Sequence, residues 1–382
     1  MQEGGVTGPR EAEFVRTLGQ MSGTSADGVD LAILETDGRH VRPDGGAACS
    51  YRAEERQLIL DACRVAQRTP AADLRDARRW PAAVREADEA VTAAHERAIR
   101  QSLRGRAFMP QLVGYHGQTL VHRPAEGVSL QVGNPERLEA ALQLPFVAGL
   151  RQADMAAGGE GAPLAPFFHH AVAREMGLAE PVAFLNLGGV GNVTLVDPRI
   201  AVPEASGAVQ AFDTGPGCAL LDEWAEMHGA GRQDEDGRLA LAGRPCPERL
   251  ARLLEDPWFA RPPPKSLDRG AFSLSPVLGL SAADGAATLV AMTSRSVAIA
   301  RRWLRPPPAR WLVCGGGRRN PAVLAALRAE LPEDVDLIER HGWDGDLLEA
   351  QAFAYLALRL SRGLDISAPS TTGRRPPARP CG

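Results

Sequence analysis

One pattern occurs twice in this chain and limits its fold more than any other: an apolar strand, a glycine-rich polar turn and a returning apolar strand. The first copy runs from Phe14-Val15-Arg16-Thr17-Leu18 through GQMSGTSADGVD, Gly19 to Asp30, into Leu31-Ala32-Ile33-Leu34. A second begins after Pro181, with Val182 to Leu187 as strand, Gly188-Gly189-Val190-Gly191-Asn192 as turn and Val193 to Val196 as return. Apolar runs punctuated by glycine and small polar residues are the hairpin signal. Two halves that open alike imply an internal duplication of a mixed α/β unit, between whose halves a nucleotide can sit. Taken alone, either turn also reads as an ordinary polar hairpin loop.

The first turn has the chemistry of a phosphate grip. Ser22, Gly23, Thr24, Ser25 and Gly28 can aim backbone N–H groups and hydroxyls at an anion, and Asp27 and Asp30 can hold a metal ion or its waters. The second turn is not a dinucleotide fingerprint: Gly189-Val190-Gly191 lacks the third glycine and runs into β-branched Val193-Thr194 instead of a helix. No GxxxxGK[ST] exists in the chain, which excludes a P-loop. Two further strand-to-loop junctions follow. Phe212-Asp213-Thr214-Gly215-Pro216-Gly217 leads into a helical pattern at Ala219, a site for an anion or ribose. Gly315-Gly316-Gly317 lies between Trp311 to Cys314 and a helix from Pro321 to Leu331, where either an adenosine or tight strand–helix packing needs bare backbone.

Composition narrows the class. At 382 residues, about two domains is the natural expectation. With 43 Lys plus Arg against 47 Asp plus Glu, no global field favours nucleic acid or membranes. The six cysteines form no CxxC pair, which fits a reduced cytoplasmic compartment. No run reaches the roughly 20 apolar residues of a membrane span, and the charged N-terminus is no signal peptide. The expected organisation is a loose extension over 1–13, a first lobe over 14–180 completed by a C-terminal helix at 349–364, a second lobe over 181–348, and a loose tail over 368–382. Within the first lobe, Ala53 to Ala66, Trp80 to Leu103, Pro135 to Leu142 and Ala165 to Met176 have helical spacing. Gln111 to Gly114 and Pro145 to Ala148 read as short strands, with Tyr115-His116-Gly117-Gln118-Thr119 as the link to a second hairpin.

Several side chains are candidates for chemistry. Asp154, in Arg151-Gln152-Ala153-Asp154 ahead of Gly158-Gly159-Glu160-Gly161, is an acid beside a glycine loop with room for substrate, suited to a general base or to capping the next helix. Arg151 can pair with it or bind an anionic group. His116 can bond a sugar hydroxyl or serve structure alone. Glu349 opens a late helix, projecting into a cleft or favouring the helix N-terminus. Lys265 is the single lysine of the chain, set after Pro262-Pro263-Pro264, and by default a solvated loop residue.

Together, SGTSADGVD, YHGQTLVHRP, LQVGNP, ADMAAGGEGAPL, NLGGVGNVT, FDTGPG, PPPKS, CGGGRRN and EAQAFAYLA, in this order, resemble the anhydro-N-acetylmuramic acid kinase family from Leu18 to Gly373. The resemblance implies a two-lobed α/β fold of the actin, Hsp70 and hexokinase type, a duplicated ribonuclease H-like unit, closing over ATP and Mg2+. It implies conversion of 1,6-anhydro-N-acetylmuramic acid, ATP and water to N-acetylmuramic acid 6-phosphate and ADP in peptidoglycan recycling, by a homodimer. It assigns Asp154 as the base and Gly23, Thr24, Ser25, Ala26, Asp27, Gly28, Val29 and Asp30 as the ATP phosphate segment. Gly188, Gly189, Gly191, Asn192, Asp213, Gly215, Gly217, Gly315, Gly316 and Gly317 are its partners in the other lobe; Asp27 and Asp30 face magnesium waters, and His116, Gln118, Arg151 and Glu349 face the sugar. The chain departs from the family's pattern at Gly149-Leu150, where Asp-Phe is common, at Cys218, where an amide is common, and at Glu160, where Gln is common. Two other readings fit the same residues: an ordinary sugar kinase of this fold acting without ring hydrolysis, and a non-catalytic ATP-dependent regulatory protein.

Overall fold

The computed structural model describes residues 13–23, 25–268 and 270–375, and it holds two mixed sheets flanked by helices. In the first, β1 (Val15–Ser22), β2 (Gly28–Thr36) and β3 (Val41–Ser50) form an antiparallel meander. The chain returns through helices Ala53–Arg68 and Ala82–Leu103 to lay β4 (Leu112–Arg123) parallel to β1. β5 (Val128–Val132) folds back on the far half of β4, and β6 (Phe146–Val147) pairs parallel with its near half. The second sheet repeats this plan. β7 (Val182–Leu187), β8 (Val190–Val196) and β9 (Val209–Pro216) are the meander, β10 (Arg310–Cys314) lies parallel to β7, and β11 (Asp334–Leu337) parallel to β10. Three antiparallel strands followed by two parallel crossovers, twice over, is the duplicated ribonuclease H-like fold expected from the paired hairpins.

Helix Leu348–Ser361 binds the first sheet most intimately. Gly19 and Gly114 are register partners on β1 and β4. A Cβ on Gly19 would stand 1.7 Å from the Ala350 carbonyl oxygen, and one on Gly114 would stand 2.1 Å from that of Phe353. Helix backbone therefore rests directly on strand backbone, through the alanine face of EAQAFAYLAL. The same helix enters an apolar cluster that joins the two sheets, with Met21 and Leu34 from the first, Phe184 and Leu312 from the second, and Phe167 and Phe168 from helix Pro166–Glu175.

Three sequence expectations change. Tyr115-His116-Gly117-Gln118-Thr119 is not a link but the middle of the 12-residue strand β4, bent at Gly117 (φ +75). The strand expected over Pro145 to Ala148 is only two residues long. The stretch from 368 is not loose at its start: Pro369–Thr372 is a helical turn, Thr371 and Thr372 are buried, and Arg375 N–H donates to the Ala157 carbonyl at 3.1 Å. Residues 1–12 and 376–382, which hold most of the expected extension and the end of the tail, lie outside the described residues.

Replacing Gly19 by Ala forces the C-terminal helix off the sheet. The expected cost is about 3 kcal/mol, the upper range for overpacking, read as a lowered urea or thermal midpoint. An unchanged midpoint overturns this account of the packing.

Candidate active site between the two sheets

The first glycine turn stands on a buried polar network. Ser22 Oγ contacts Tyr51 Oη at 2.9 Å and His95 Nε2 at 3.1 Å, and His95 Nδ1 reaches Tyr115 Oη at 2.8 Å. Burial pushes His95 down to about 3, so its ring is neutral and can both donate and accept. Gln20 Oε1 accepts the N–H groups of His116 (3.2 Å) and Gly117 (3.0 Å). Gln118 is fully buried; its amide donates to the Gly23 carbonyl at 3.0 Å, and its oxygen accepts from Tyr51. Expected at the sugar, Gln118 instead fastens the turn. Above this base a Cβ on Gly23 would meet only Ser25 Oγ, at 3.6 Å, Ala26 takes φ 54, and Ser25 is exposed. Gly28 and Val29 already belong to β2, where a Cβ on Gly28 would strike the Cys49 carbonyl. Thr24 lies outside the described residues. Nothing in the sequence pattern marks Tyr51 or His95, which come from a loop and a helix distant in the chain.

The glycines of the second half divide into two kinds. Side chains on Gly191, Gly215, Gly217, Gly315 or Gly317 would collide with the protein itself: with Thr214, Ser296, the Gly188 carbonyl, Asn186 and Cys218 Sγ respectively. Packing accounts for these five. A Cβ on Gly188 would meet nothing closer than 3.7 Å and one on Gly316 nothing within 4 Å; the Gly188 N–H donates to the Val190 carbonyl and its carbonyl accepts from Cys218, so of the two Gly316 is the one whose backbone a ligand can use. The Gly189 carbonyl accepts from Gly217 at 3.0 Å and ties the second turn to the FDTGPG segment. Asn192 and Asp213 are cross-strand partners on β8 and β9, and Asn186 pairs with Asn192 from β7, so three polar residues form a row at one edge of the sheet.

Acidic groups gather where this edge meets the first half. Asn186 Nδ2 donates to Glu349 Oε1 at 2.9 Å, joining the second sheet to the start of the C-terminal helix. Glu349 is open to solvent yet ringed by protein, as a residue at the floor of a cleft must be; burial raises its carboxyl, while Arg151 and Asn186 oppose the rise. Asp30 is pushed up to about 7, by burial first and then by Glu349, Asp346, Asp27 and Asp344. Asp27 itself is exposed and sits 3.7 Å from Arg56, so of the two expected metal-facing acids only Asp30 belongs to the cleft group. Arg151 Nε donates to His116 Nε2 at 3.0 Å and Nη1 to the Gly161 carbonyl at 2.8 Å. His116 spends Nδ1 on the Gly117 carbonyl at 2.9 Å and is held well below its usual range by burial. Both of its ring nitrogens are occupied, so it braces Arg151 where a sugar contact was expected. Asn186 was legible only as a lone amide in an apolar strand.

The two aspartates of the glycine loops have opposite surroundings. Asp154 lies within helix Leu150–Ala156 rather than in a mobile loop, and it is 1% exposed. Its Oδ2 accepts the Gly161 N–H at 2.7 Å, and its Oδ1 accepts Thr372 Oγ1 at 2.7 Å together with Ser367 Oγ. It thus locks the glycine loop to the C-terminal segment. Asp213, at the end of β9, is only partly covered. Among the described residues Leu267 N–H, at 2.7 Å from Oδ2, is its one side-chain hydrogen-bond donor. Burial pushes Asp213 up to about 7, with Glu160 adding to the rise and Lys265 opposing it. Lys265, expected in solvent, is 4% exposed.

No helix among the described residues is long and apolar enough to cross a membrane. The family model described as anhydro-N-acetylmuramic acid kinase matches residues 15–379. The chain is 48% identical to the anhydro-N-acetylmuramic acid kinase of Rhodospirillum rubrum, over 94% of this chain and 91% of that one. It is 49% identical to the one from Cereibacter sphaeroides (94% and 93% covered) and 46% to the one from Methylobacterium nodulans (94% and 96%). Among solved structures it is similar to a ROK family glucokinase from Streptomyces griseus, at 14% identity over 91% of this chain and 99% of that one, with a TM-score of 0.40. The chain belongs to the anhydro-N-acetylmuramic acid kinase family.

Proposed function

We infer that this chain is an ATP-dependent kinase that opens 1,6-anhydro-N-acetylmuramic acid with water and phosphorylates O6, giving N-acetylmuramic acid 6-phosphate and ADP in cytoplasmic peptidoglycan recycling. Family membership supports the reaction, and one observation carries the assignment of roles: of the two partly covered cleft aspartates pushed up to about 7, Asp30 is crowded by Glu349, Asp346, Asp27 and Asp344 beside the first glycine turn, whereas Asp213 is oriented by the Leu267 N–H of the segment whose Ser266 meets Glu160. In this reading Asp213 takes the base role that the sequence pattern gave to Asp154. Its carboxylate removes a proton from the water attacking the anomeric carbon; the bond from that carbon to O6 breaks, and O6 takes the γ-phosphoryl group. A base with a pKa near the working pH is the efficient choice for such a step. Asp154 has three donors on its two oxygens and is 1% exposed, so little of its acceptor capacity is left for a substrate.

Gly23, where a Cβ would meet only Ser25 Oγ at 3.6 Å, is the bare backbone of the first phosphate-facing turn; Gly188 leaves room beside the second turn, and Gly316 is the bare backbone of the adenosine side. Arg151, pinned at Nε and Nη1, keeps Nη2 for an anionic group, and the lactyl carboxylate is the fitting one. For magnesium, no three His, Cys, Asp or Glu side chains converge among the described residues. Asp30 and Glu349 fit an ion held through waters and phosphate oxygens, the usual manner for this metal, since burial raises both carboxyls and acidic neighbours raise Asp30 further, a rise that a cation would offset. The ion would offset charge on the transferring phosphoryl group.

Two variants separate the aspartates. Asp213→Asn should lose about 10^3-fold in turnover, within the range for removing a general base, while its thermal midpoint is kept. Asp154→Asn sets an amide N–H against a donor of the lock; it should cost about 2 kcal/mol of stability and retain measurable turnover with an unaltered pH profile. The reverse pattern, in a coupled ADP-release assay with the anhydro sugar, returns the base role to Asp154. In the same assay, reducing N-acetylmuramic acid serving alone as acceptor overturns the hydrolytic reading.

The pH profile gives a further check. The active form of Asp213 is the carboxylate and its pKa is about 7, so kcat/KM should rise with pH, about tenfold per unit well below that value, and level off above it. A flat profile from pH 5 to 8 contradicts the assignment.

A further inference from the structure

The segment after Phe259 runs across the site as a strap. Pro262, Pro263 and Pro264 stiffen its approach. Lys265 anchors it from below, with Nζ 4.0 Å over the Trp258 ring and 3.4 and 3.5 Å from the carbonyls of Trp258 and Phe259. A cation held by a ring face and two carbonyls inside the protein fixes the backbone on both sides of it. That backbone holds Asp213: Asp213 N–H donates to the Lys265 carbonyl at 3.0 Å, and Leu267 N–H donates to Asp213 Oδ2 at 2.7 Å. Between these two contacts, Ser266 Oγ donates to Glu160 Oε2 at 3.1 Å. Glu160 belongs to the other half of the molecule, in the loop that Asp154 locks, and its own N–H donates to the Thr372 carbonyl at 2.8 Å.

We propose that Glu160 is a positioning residue for Asp213: through Ser266 it fastens the strap that orients the Asp213 carboxylate, and its negative charge faces that carboxylate across the cleft. This rests on the reading of Asp213 as the base. Among the described residues the charged groups facing Asp213 are Glu160, from the glycine loop, and Lys265, from the strap; Arg261 and Arg302 face Lys265 in turn. Like charge from Glu160 holds the Asp213 proton on, and Lys265 works against it. Glutamate at this position therefore has two separable effects, a hydrogen bond that a glutamine also makes and a charge that a glutamine lacks.

Two variants and a control test this on the full-length enzyme, in the ADP-release assay as a function of pH. Glu160→Gln keeps an acceptor for Ser266 and removes the charge; the acidic limb of kcat should move to lower pH by about one unit, with the plateau within about threefold of the parent. Ser266→Ala keeps the charge and removes the fastening; kcat should fall about tenfold with the limb unmoved and KM for ATP unchanged. Asp213→Asn is the control for the base. If that control loses turnover while Glu160→Gln and Ser266→Ala both keep the parent profile and rate, the role of Glu160 is overturned and the base stands. If the control keeps full turnover, the base reading falls first and this inference with it.

Discussion

The contact on which the site depends is backbone against backbone, the C-terminal helix lying on Gly19 and Gly114 of adjacent parallel strands. Any side chain at either glycine would sit inside the helix carbonyls. Because the helix cannot rise, Glu349 near its start reaches the cleft floor, where Asn186 of the second sheet meets it. The last helix of the chain thus completes the first half and touches the second. Its alanine-rich face follows from the same closeness, since Ala350 and Ala354 are the residues above Gly19. The apolar cluster that includes this helix and Phe167, Phe168 and Phe184 carries the contact through to the second sheet, so packing and site geometry are set by one element.

Environment divides the carboxylates of one molecule into different trades. Asp154 accepts from three donors and is buried, so its charge is spent on holding a glycine loop and the C-terminal segment in place. Among the described residues Asp213 has one donor, the Leu267 N–H, and burial together with the acidic neighbour Glu160 leaves its carboxylate basic. The distinction lies in how many donors the fold supplies, a quantity set by Ser367 and Thr372, more than two hundred residues from Asp154. A stretch of sequence around either aspartate contains none of it.

The paired hairpins, and with them the duplicated topology, were legible because strand–glycine–strand is a local pattern and each half repeats it. Helices Pro135–Leu142, Ala53–Arg68 and Pro321–Glu330 were legible for the same reason. Tyr115 to Thr119 was not, because a strand buried on both faces among Gln20, His95 and Tyr51 carries polar residues that resemble a turn when read without those partners. Lys265 was misplaced because the Trp258 ring and two carbonyls that receive it are invisible to composition. The roles of His116 and Gln118 changed for a related reason: both point at groups of the protein itself, Arg151 and Gly23, which spacing along the chain does not reveal.

The acids at the mouth of the cleft show where the fold withholds compensation. Arg318, 6% exposed, is bound to Glu339, to Asp346 at 2.8 Å and to the Gly315 carbonyl at 3.0 Å, and Arg319 also reaches Asp346. These pairs shape the triple-glycine loop, and they hold the Asp346 carboxyl below its ordinary value, through the Arg318 hydrogen bond first. Asp30 has no such partner among the described residues and is pushed the other way, by burial first. Glu349 is opposed only by Arg151 and an amide. Charge is thus neutralised where it fixes the loop and left unbalanced where the two halves face each other, and a cation arriving with phosphate would relieve that imbalance. Like charge among crowded carboxylates makes each hold its proton more tightly. Asp30, on β2, and Glu349, on the helix laid against the same sheet, therefore face the cleft from one side, and Asn186 reaches Glu349 from the other.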